Sequence, residues 1–277
     1  MPELPEVETI RRDLQPSLIG RRILAVWHSG KPLRQNRPLA VAELREICAA
    51  RTIIGLSRRA KYLLLDTDAH ASVVVHLGMS GRLTLAASTT ARAPHTHVAW
   101  RLDDGNELRY TDPRRFGFVC AIAQGATLPE LSNLGVEPLD GALDAEWLHR
   151  QCKAARRSIK ALLLDQTVVA GLGNIYVCEA LFEAGIHPGA RACRLSLARC
   201  GALKNAIVQV LSRGLENRGT TLRDYVDGGG NAGKNQNALR VYDRTGEACQ
   251  RGDGGKIVRR SLLGRGTFYC PRCQRAA

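Results

Sequence analysis

No run of this sequence approaches the ~18 consecutive apolar residues that a membrane span requires. The acidic, proline-containing start, Met1 to Glu8, lacks the basic and apolar blocks of a secretory signal, which points to the cytoplasm. Close cysteine pairs are also scarce. Of nine cysteines only Cys270-Pro-Arg-Cys273 form one, so a secreted disulfide framework is not expected and most thiols should be reduced and buried. Acidic side chains are outnumbered, 26 Asp and Glu against 40 Lys and Arg, which leaves a formal charge of +14. Such an excess along the whole chain favours a polyanionic partner, nucleic acid first, although solvated charge on a basic protein is the plainer alternative. What is present suits a globular chain. With 277 residues, 44% apolar and 24% charged, it is long enough for two domains, each burying a core.

Alternation and β-branching predict strands at Arg22–His28, Ile53–Leu56, Tyr62–Asp66, Ser72–Leu77, His97–Leu102 and Glu107–Thr111. Two helices interrupt them, one opening at Pro5 with Val7, Ile10 and Leu14 on one face, the other covering Ala42 to Ala49. The aperiodic segment Gly125–Asp144 reads as a domain boundary. Helices are then predicted at Ala145–Lys153, Ile159–Leu164, Ile175–Ala184 and Ser196–Asn217, followed by a mobile loop, Asp227–Asn237, rich in Gly and Asn. A strand-like pair around Arg240–Tyr242 and Thr267–Tyr269 closes the chain.

The first residues carry the clearest chemistry. Met before Pro is expected to be removed, leaving Pro2 as a secondary amine whose ordinary pKa, about 7.7–8.0, keeps a nucleophilic fraction at neutral pH. Attack on an aldehydic carbon would give an iminium that stays cationic and draws electrons, driving elimination. Glu3 and Glu6 supply carboxylates to move protons. The same acidic turn is equally a helix N-terminus matched to its dipole.

The string MPELPEVETIRR resembles the start of the formamidopyrimidine-DNA glycosylase family. The resemblance recurs in order through RRAKYLLLD (Arg58–Asp66), HLGMSGRL (His76–Leu83), LRYTDPRRFG (Leu108–Gly117), LGVEPL (Leu134–Leu139), AGLGNIY (Ala170–Tyr176), AGIHP (Ala184–Pro188), RGTTLRDY (Arg218–Tyr225) and VYDRTGE (Val241–Glu247). It implies an α+β fold: an N-terminal β-sandwich flanked by helices over 1–135, a helical domain with a helix-two-turn-helix over 136–225, and a lesion-capping loop with a terminal zinc-finger-like β-hairpin over 226–277. DNA would lie in a basic cleft. The resemblance further implies a bifunctional glycosylase and AP lyase acting, as a monomer and away from membranes, on damaged double-stranded DNA. Pro2 would be the nucleophile at C1′, Glu3 the acid that opens the sugar, Lys61 a proton donor in β-elimination and Arg265 the hairpin arginine of δ-elimination. Extruding a nucleotide leaves a gap, which Met79, Arg114 and Phe116 would fill. His95, Arg156, Lys160 and Asn174 match phosphate-contacting positions, Asn174 at a helix start where free N–H groups suit an anion. His76 and His97 receive no role.

Two departures stand out. The family's zinc hairpin has two Cys-x-x-Cys pairs, whereas here the first reads Cys249-Gln-Arg-Gly252. With Cys270 and Cys273 that leaves three thiols, and Asp253 is the nearest replacement donor. Zinc on three Cys and Asp253, a metal-free hairpin and a weakened zinc site all stay open. The capping loop, Lys234-Asn235-Gln236, lacks the aromatic often found there, so 8-oxoguanine opposite cytosine and ring-opened purines are substrates by resemblance only. An oxidised-pyrimidine glycosylase of the endonuclease VIII kind and a damaged-DNA-binding protein without catalysis remain the alternatives.

Overall fold

The computed structural model describes residues 2–34, 41–123, 126 and 128–275; Met1, whose removal the sequence predicts, and Gly125, at the expected boundary, lie outside them. The chain forms two compact units, Met1–Ser132 with Leu215–Gln236, and Asn133–Gly214 with Asn237–Ala277. The segmentation drawn from the sequence is linear, and the structure instead returns residues 215–236 to the N-terminal unit.

The first unit begins with α1 (Leu4–Leu18), whose Val7, Ile10, Leu14 and Leu18 recur at helical spacing and are all buried. β1 (Ile23–His28) and α2 (Val41–Cys48) follow. Then come β2 (Ile53–Arg59), β3 (Tyr62–Thr67), β4 (Ala71–His76), β5 (Arg82–Ala87), β6 (Thr96–Leu102), β7 (Asn106–Thr111), β8 (Phe118–Ile122) and the short α3 (Pro129–Ser132). The strands make two antiparallel four-stranded sheets, ordered β1-β6-β7-β5 and β2-β3-β4-β8. One core takes side chains from both sheets and α1, with Trp100 and Tyr110 its largest members. β3 is apolar on both faces: Leu63 and Leu65 enter that core, while Leu64 and Tyr62 pack on a second cluster with Phe118, Val74 and Leu128.

α1 is tied to β2 by charge. Glu8 is buried and meets Arg11 and Arg12 at 2.8 Å and Arg58 at 3.1 Å. Burial alone would raise its pKa, but hydrogen bonds from Arg11 and Arg12 and the charges of Arg11 and Arg58 pull it down to about 2. Because the folded value lies below the unfolded one, this stabilisation is complete above about pH 5 and drains away as pH falls towards 2. Glu8→Gln is therefore expected to cost about 2 kcal/mol at pH 7, with the gap from wild type narrowing between pH 5 and 2 in urea melts.

The second unit holds α4 (Ala145–Ala154), α5 (Ile159–Leu164), α6 (Asn174–Glu183) and most of α7 (Leu197–Glu216), followed by the hairpin of β9 (Val258–Leu262) and β10 (Arg265–Tyr269). α4 and α5 start at side-chain caps, Asp144 accepting from Trp147 N–H and Ser158 from Ala161 N–H. The expected strand at Arg240–Tyr242 does not form. All three of its N–H groups donate to the buried carboxylate of Glu179 at 2.8–2.9 Å, so none is left for a sheet ladder, and β10 pairs with Val258–Leu262 instead.

Candidate active site

Pro2 is buried at the head of α1. Glu3, also buried, occupies the N-cap, and its N–H donates to Glu6 Oε2 at 2.8 Å, the return half of a capping box. Glu6 Oε1 accepts the Thr220 N–H at 2.7 Å. Both Glu6 oxygens therefore hold backbone, fastening the first helical turn to residues 218–225, which makes Glu6 a positioning group. Gly219, with φ of +82°, explains the glycine of the RGTT string: a Cβ there would lie 2.8 Å from the Tyr225 ring and 3.0 Å from Glu6 Cγ. The following loop, expected to be mobile, is pinned. Asp227 accepts from Gly229 and Asn231 N–H and pairs with Arg218 at 2.6 Å, and buried Asn235 donates to Thr220 Oγ1.

Lys61 is buried, 7% exposed, at the turn between β2 and β3. Arg58 braces that turn, its Nη1 on the Ala60 carbonyl at 3.0 Å and its Nε on Glu8. Beside it, His76 stacks on Phe118 and accepts the Gly78 N–H; burial, then the charges of Arg34 and Lys61, press its pKa down to about 3. His97 is likewise held below the usual value by burial, between Ser29 Oγ and the Asp112 carbonyl. His76 therefore stays neutral at physiological pH.

The structure brings Met79, Arg114 and Phe116 together through a residue the sequence reading passed over. Asp112 is fully buried between the β4–β5 and β7–β8 loops. One carboxylate oxygen accepts Ser80 Oγ at 2.6 Å and the Arg114 N–H at 3.3 Å, and the other accepts the Gly117 N–H at 2.9 Å and Tyr110 OH at 3.1 Å. The loops approach so closely that a Cβ on Gly78, at φ of +62°, would sit 2.3 Å from Gly117 N. Out of this buried junction project Met79 and Phe116, 40% and 46% exposed, with the Arg114 guanidinium 4.5 Å above the Phe116 ring. His95 is exposed nearby, its carbonyl accepting the Asp112 N–H. The signal lies within LRYTDPRRFG, which carries the Asp beside the arginine and phenylalanine.

In the second unit Gln166 organises the two turns between α5 and α6, donating to the Leu164 and Leu172 carbonyls and accepting the Gly171 N–H. Arg156 is exposed ahead of α5. Lys160, expected on phosphate, is fully buried, with Nζ 2.6 Å from Thr267 Oγ1 and 3.3 Å from the Gly266 carbonyl. Asn174 Nδ2 reaches the same carbonyl at 2.9 Å. Two of the four predicted phosphate contacts thus grip the hairpin next to Arg265, which is exposed where β10 leaves the Leu263-Gly264 turn. The ligand atoms of Cys249, Asp253, Cys270 and Cys273 lie within 4.8 Å of one another, a set compatible with zinc; Gly252 adds no side chain.

Comparison with known proteins bears on all of these elements. The chain matches the formamidopyrimidine-DNA glycosylase N-terminal domain over residues 1–119, the H2TH domain of the same enzymes over 134–226, and the zinc finger found in FPG and IleRS over 254–276. It is 47% identical to formamidopyrimidine-DNA glycosylase of Thiobacillus denitrificans across 99% of this chain and 100% of the relative. Against the Moorella thermoacetica enzyme it is 48% identical over 91% and 92%. Among solved structures, Lactococcus lactis Fpg in complex with abasic-site DNA superposes with a TM-score of 0.90 at 35% identity, covering 99% of both chains. The wild-type Lactococcus lactis protein with N7-benzyl-Fapy-dG DNA gives 0.91 at 34%, over 99% and 100%. No helix among the described residues is long and apolar enough to cross a membrane. With the N-terminal sandwich, the helix-two-turn-helix and the terminal hairpin each matched in order and along the full length, the chain belongs to the formamidopyrimidine-DNA glycosylase family.

Proposed function

We propose that the chain excises oxidised purines, 8-oxoguanine and formamidopyrimidines, from duplex DNA and then cuts the strand by β,δ-elimination. The observation that carries this reading is the Met79, Arg114 and Phe116 projection. Two exposed apolar side chains and a cation mounted on a rigid buried carboxylate serve no core, and they suit insertion into a stack from which a nucleotide has been drawn. Pro2 belongs to the same unit. Its nitrogen, once Met1 is removed, attacks C1′ and forms the C–N bond as the bond to the base breaks. Glu3 delivers a proton to the ring oxygen, the sugar opens and a cationic iminium results. Loss of a C2′ proton then expels the 3′ phosphate, with Lys61 as the proton donor, and the second elimination expels the 5′ phosphate with Arg265 on the phosphate. Glu6 holds the helix start in place. Arg114 faces the orphaned base, His95 and Arg156 take phosphates, and Lys160 and Asn174 act through the hairpin strand they hold. The solved relatives captured with abasic and Fapy-dG DNA support this lesion class.

Borohydride trapping and cleavage on duplexes carrying 8-oxoguanine opposite cytosine, beside duplexes carrying thymine glycol, test the reading. A covalent adduct and faster cleavage at 8-oxoguanine are expected. Preference for thymine glycol would reassign the protein to oxidised pyrimidines, and binding without an adduct at either lesion would make it a binding protein.

A further inference from the structure

We infer that the first unit carries a nucleotide pocket on the face of the β1-β6-β7-β5 sheet that turns away from the core, with Trp27 receiving the base and Arg45 and Arg101 the phosphates. Along these strands Val26, Val98, Trp100, Leu102 and Leu108 enter the core, so Trp27, Ala99, Arg101, Glu107 and Arg109 fall on the opposite face. Such a face is ordinarily solvated, yet Glu107 and Arg109 are only 3% and 6% exposed. The loop after β5 covers them. Arg109 donates to the carbonyls of Ala87, Thr90 and Ala91 at 2.6–3.2 Å and to Glu107 at 3.0 Å. Arg92, farther along the loop, reaches both Glu107 oxygens, at 2.6 and 3.2 Å. Held this way over the strands, the loop bounds one side of a cavity of about 710 Å³, and α2 bounds another through Arg45. That volume lies within the ~300–1,000 Å³ usual for small-ligand pockets.

Inside the cavity a flat aromatic surface adjoins unspent positive charge. The Arg92 guanidinium sits 4.4 Å from the Trp27 ring centre and braces the indole by a cation–π contact, while the ring remains 38% exposed. The floor is kept flat by small residues, since Trp27 faces Ala99 across the ladder and Arg101 faces Ala25. Three arginines, Arg45, Arg92 and Arg101, line the cavity with one carboxylate, Glu107. Burial works against ionisation of Glu107, but Arg92 and Arg109 outweigh it and hold its carboxyl below the usual range. That carboxylate is therefore already spent. Arg45 and Arg101 are exposed and have no ionic partner among the described residues. A planar base stacks on an indole whatever its identity, and guanidinium forks suit phosphate oxygens. An inorganic anion would leave the indole unused, and a nucleoside would leave the arginines unused. The loop and α2 flank the cavity on two sides, which favours a free nucleoside diphosphate or triphosphate over a strand that must pass through. None of these residues takes part in the lesion chemistry proposed above, so the inference stands apart from it.

The test titrates the full chain with ADP, read by calorimetry and by quenching of tryptophan emission. ADP is expected to saturate one site, with adenosine and pyrophosphate each at least ~10-fold weaker. Trp27→Ala and Arg101→Gln should each lower ADP affinity at least ~10-fold and leave duplex affinity unchanged. Trp27→Ala should also abolish the quenching. Absence of saturable ADP binding overturns the inference, as does an ADP affinity that either variant leaves unchanged. Pyrophosphate binding as tightly as ADP overturns it too, because the cavity would then be an anion site alone. A matching loss of duplex affinity would assign these residues to DNA instead, and oligothymidylate bound through Trp27 where ADP is not would assign them to single strands. Should loss of the indole release the Arg92 loop, Arg101→Gln keeps the test decisive.

Discussion

Pro2→Gly is expected to lower excision of 8-oxoguanine and strand cleavage by at least ~10²-fold, while lowering the urea midpoint only slightly. Glycine preserves an α-amine of similar basicity, so a loss of this size isolates what the ring contributes. A secondary amine yields an iminium with no N–H to lose, whereas the imine of glycine can shed its proton and cease to draw electrons. The ring also fixes the backbone just ahead of the N-cap residue Glu3, whose N–H is held by Glu6. Stability should fall only slightly, because Pro2 precedes the first helical hydrogen bond, from Val7 N to Glu3 O, and only the packing of its buried ring is lost. Single-turnover cleavage, borohydride trapping and intact-mass measurement of the amino terminus check the prediction together. Full turnover by the variant, or by wild-type protein that retains Met1, would remove Pro2 from the reaction.

The second large effect is expected at Asp112. Alanine there strips acceptors from Ser80, Tyr110 and the Arg114 and Gly117 amides, all at a site with no exposure. Leaving several buried donors unpaired should cost about 3–5 kcal/mol, read by denaturant melts. It should also release the two loops from their common anchor, so that duplex binding weakens even at temperatures where the variant is folded. Asp112→Asn keeps one acceptor oxygen and turns an NH₂ towards donors, and an intermediate loss is expected. Wild-type affinity in a folded Asp112→Ala protein would show that the projection of Met79 and Phe116 does not depend on this carboxylate.

Elements with a regular period were legible from sequence. Ile159–Leu164 has the predicted bounds, α4, α6 and α7 fall within about a residue of theirs, and α1 starts one residue before the predicted Pro5, because each carries an apolar stripe or a cap. β5 and β8 were missed. In β5 the alternation of Arg82–Leu85 gives way to two alanines and only Leu83 is buried, and β8 follows directly on the Arg114–Gly117 loop. The exposed side chains of Met79 and Phe116 were also legible, since a methionine flanked by Gly78 and Ser80-Gly81 is hard to read as core filler. Their support was not. Glu179 collects three backbone N–H groups from the far segment 240–242, Asp112 joins the amides of its own loop to the distant Ser80 hydroxyl, and Gln166 ties the two turns around it. Nothing in local spacing reveals which groups a buried carboxylate or amide will find. Lys160 shows the converse: its position in the chain suggested an anion, and tertiary packing turned its ammonium onto a strand.

The engagement of residues 240–242 by Glu179 leaves the terminal sheet with only two strands, and a ribbon that narrow presents a bare margin to any extended chain that drifts past. On the β10 side Lys160 and Asn174 occupy the Gly266 carbonyl. β9 carries Arg259 and Arg260, both exposed and, as successive strand residues, on opposite faces of the ribbon. Adjacent like charges repel an identical ribbon and so keep neighbouring copies from zipping together at high concentration. Charge of that sign is also compatible with a polyelectrolyte of opposite sign, so the side chains that guard the margin against self-assembly do not oppose a polyanionic partner.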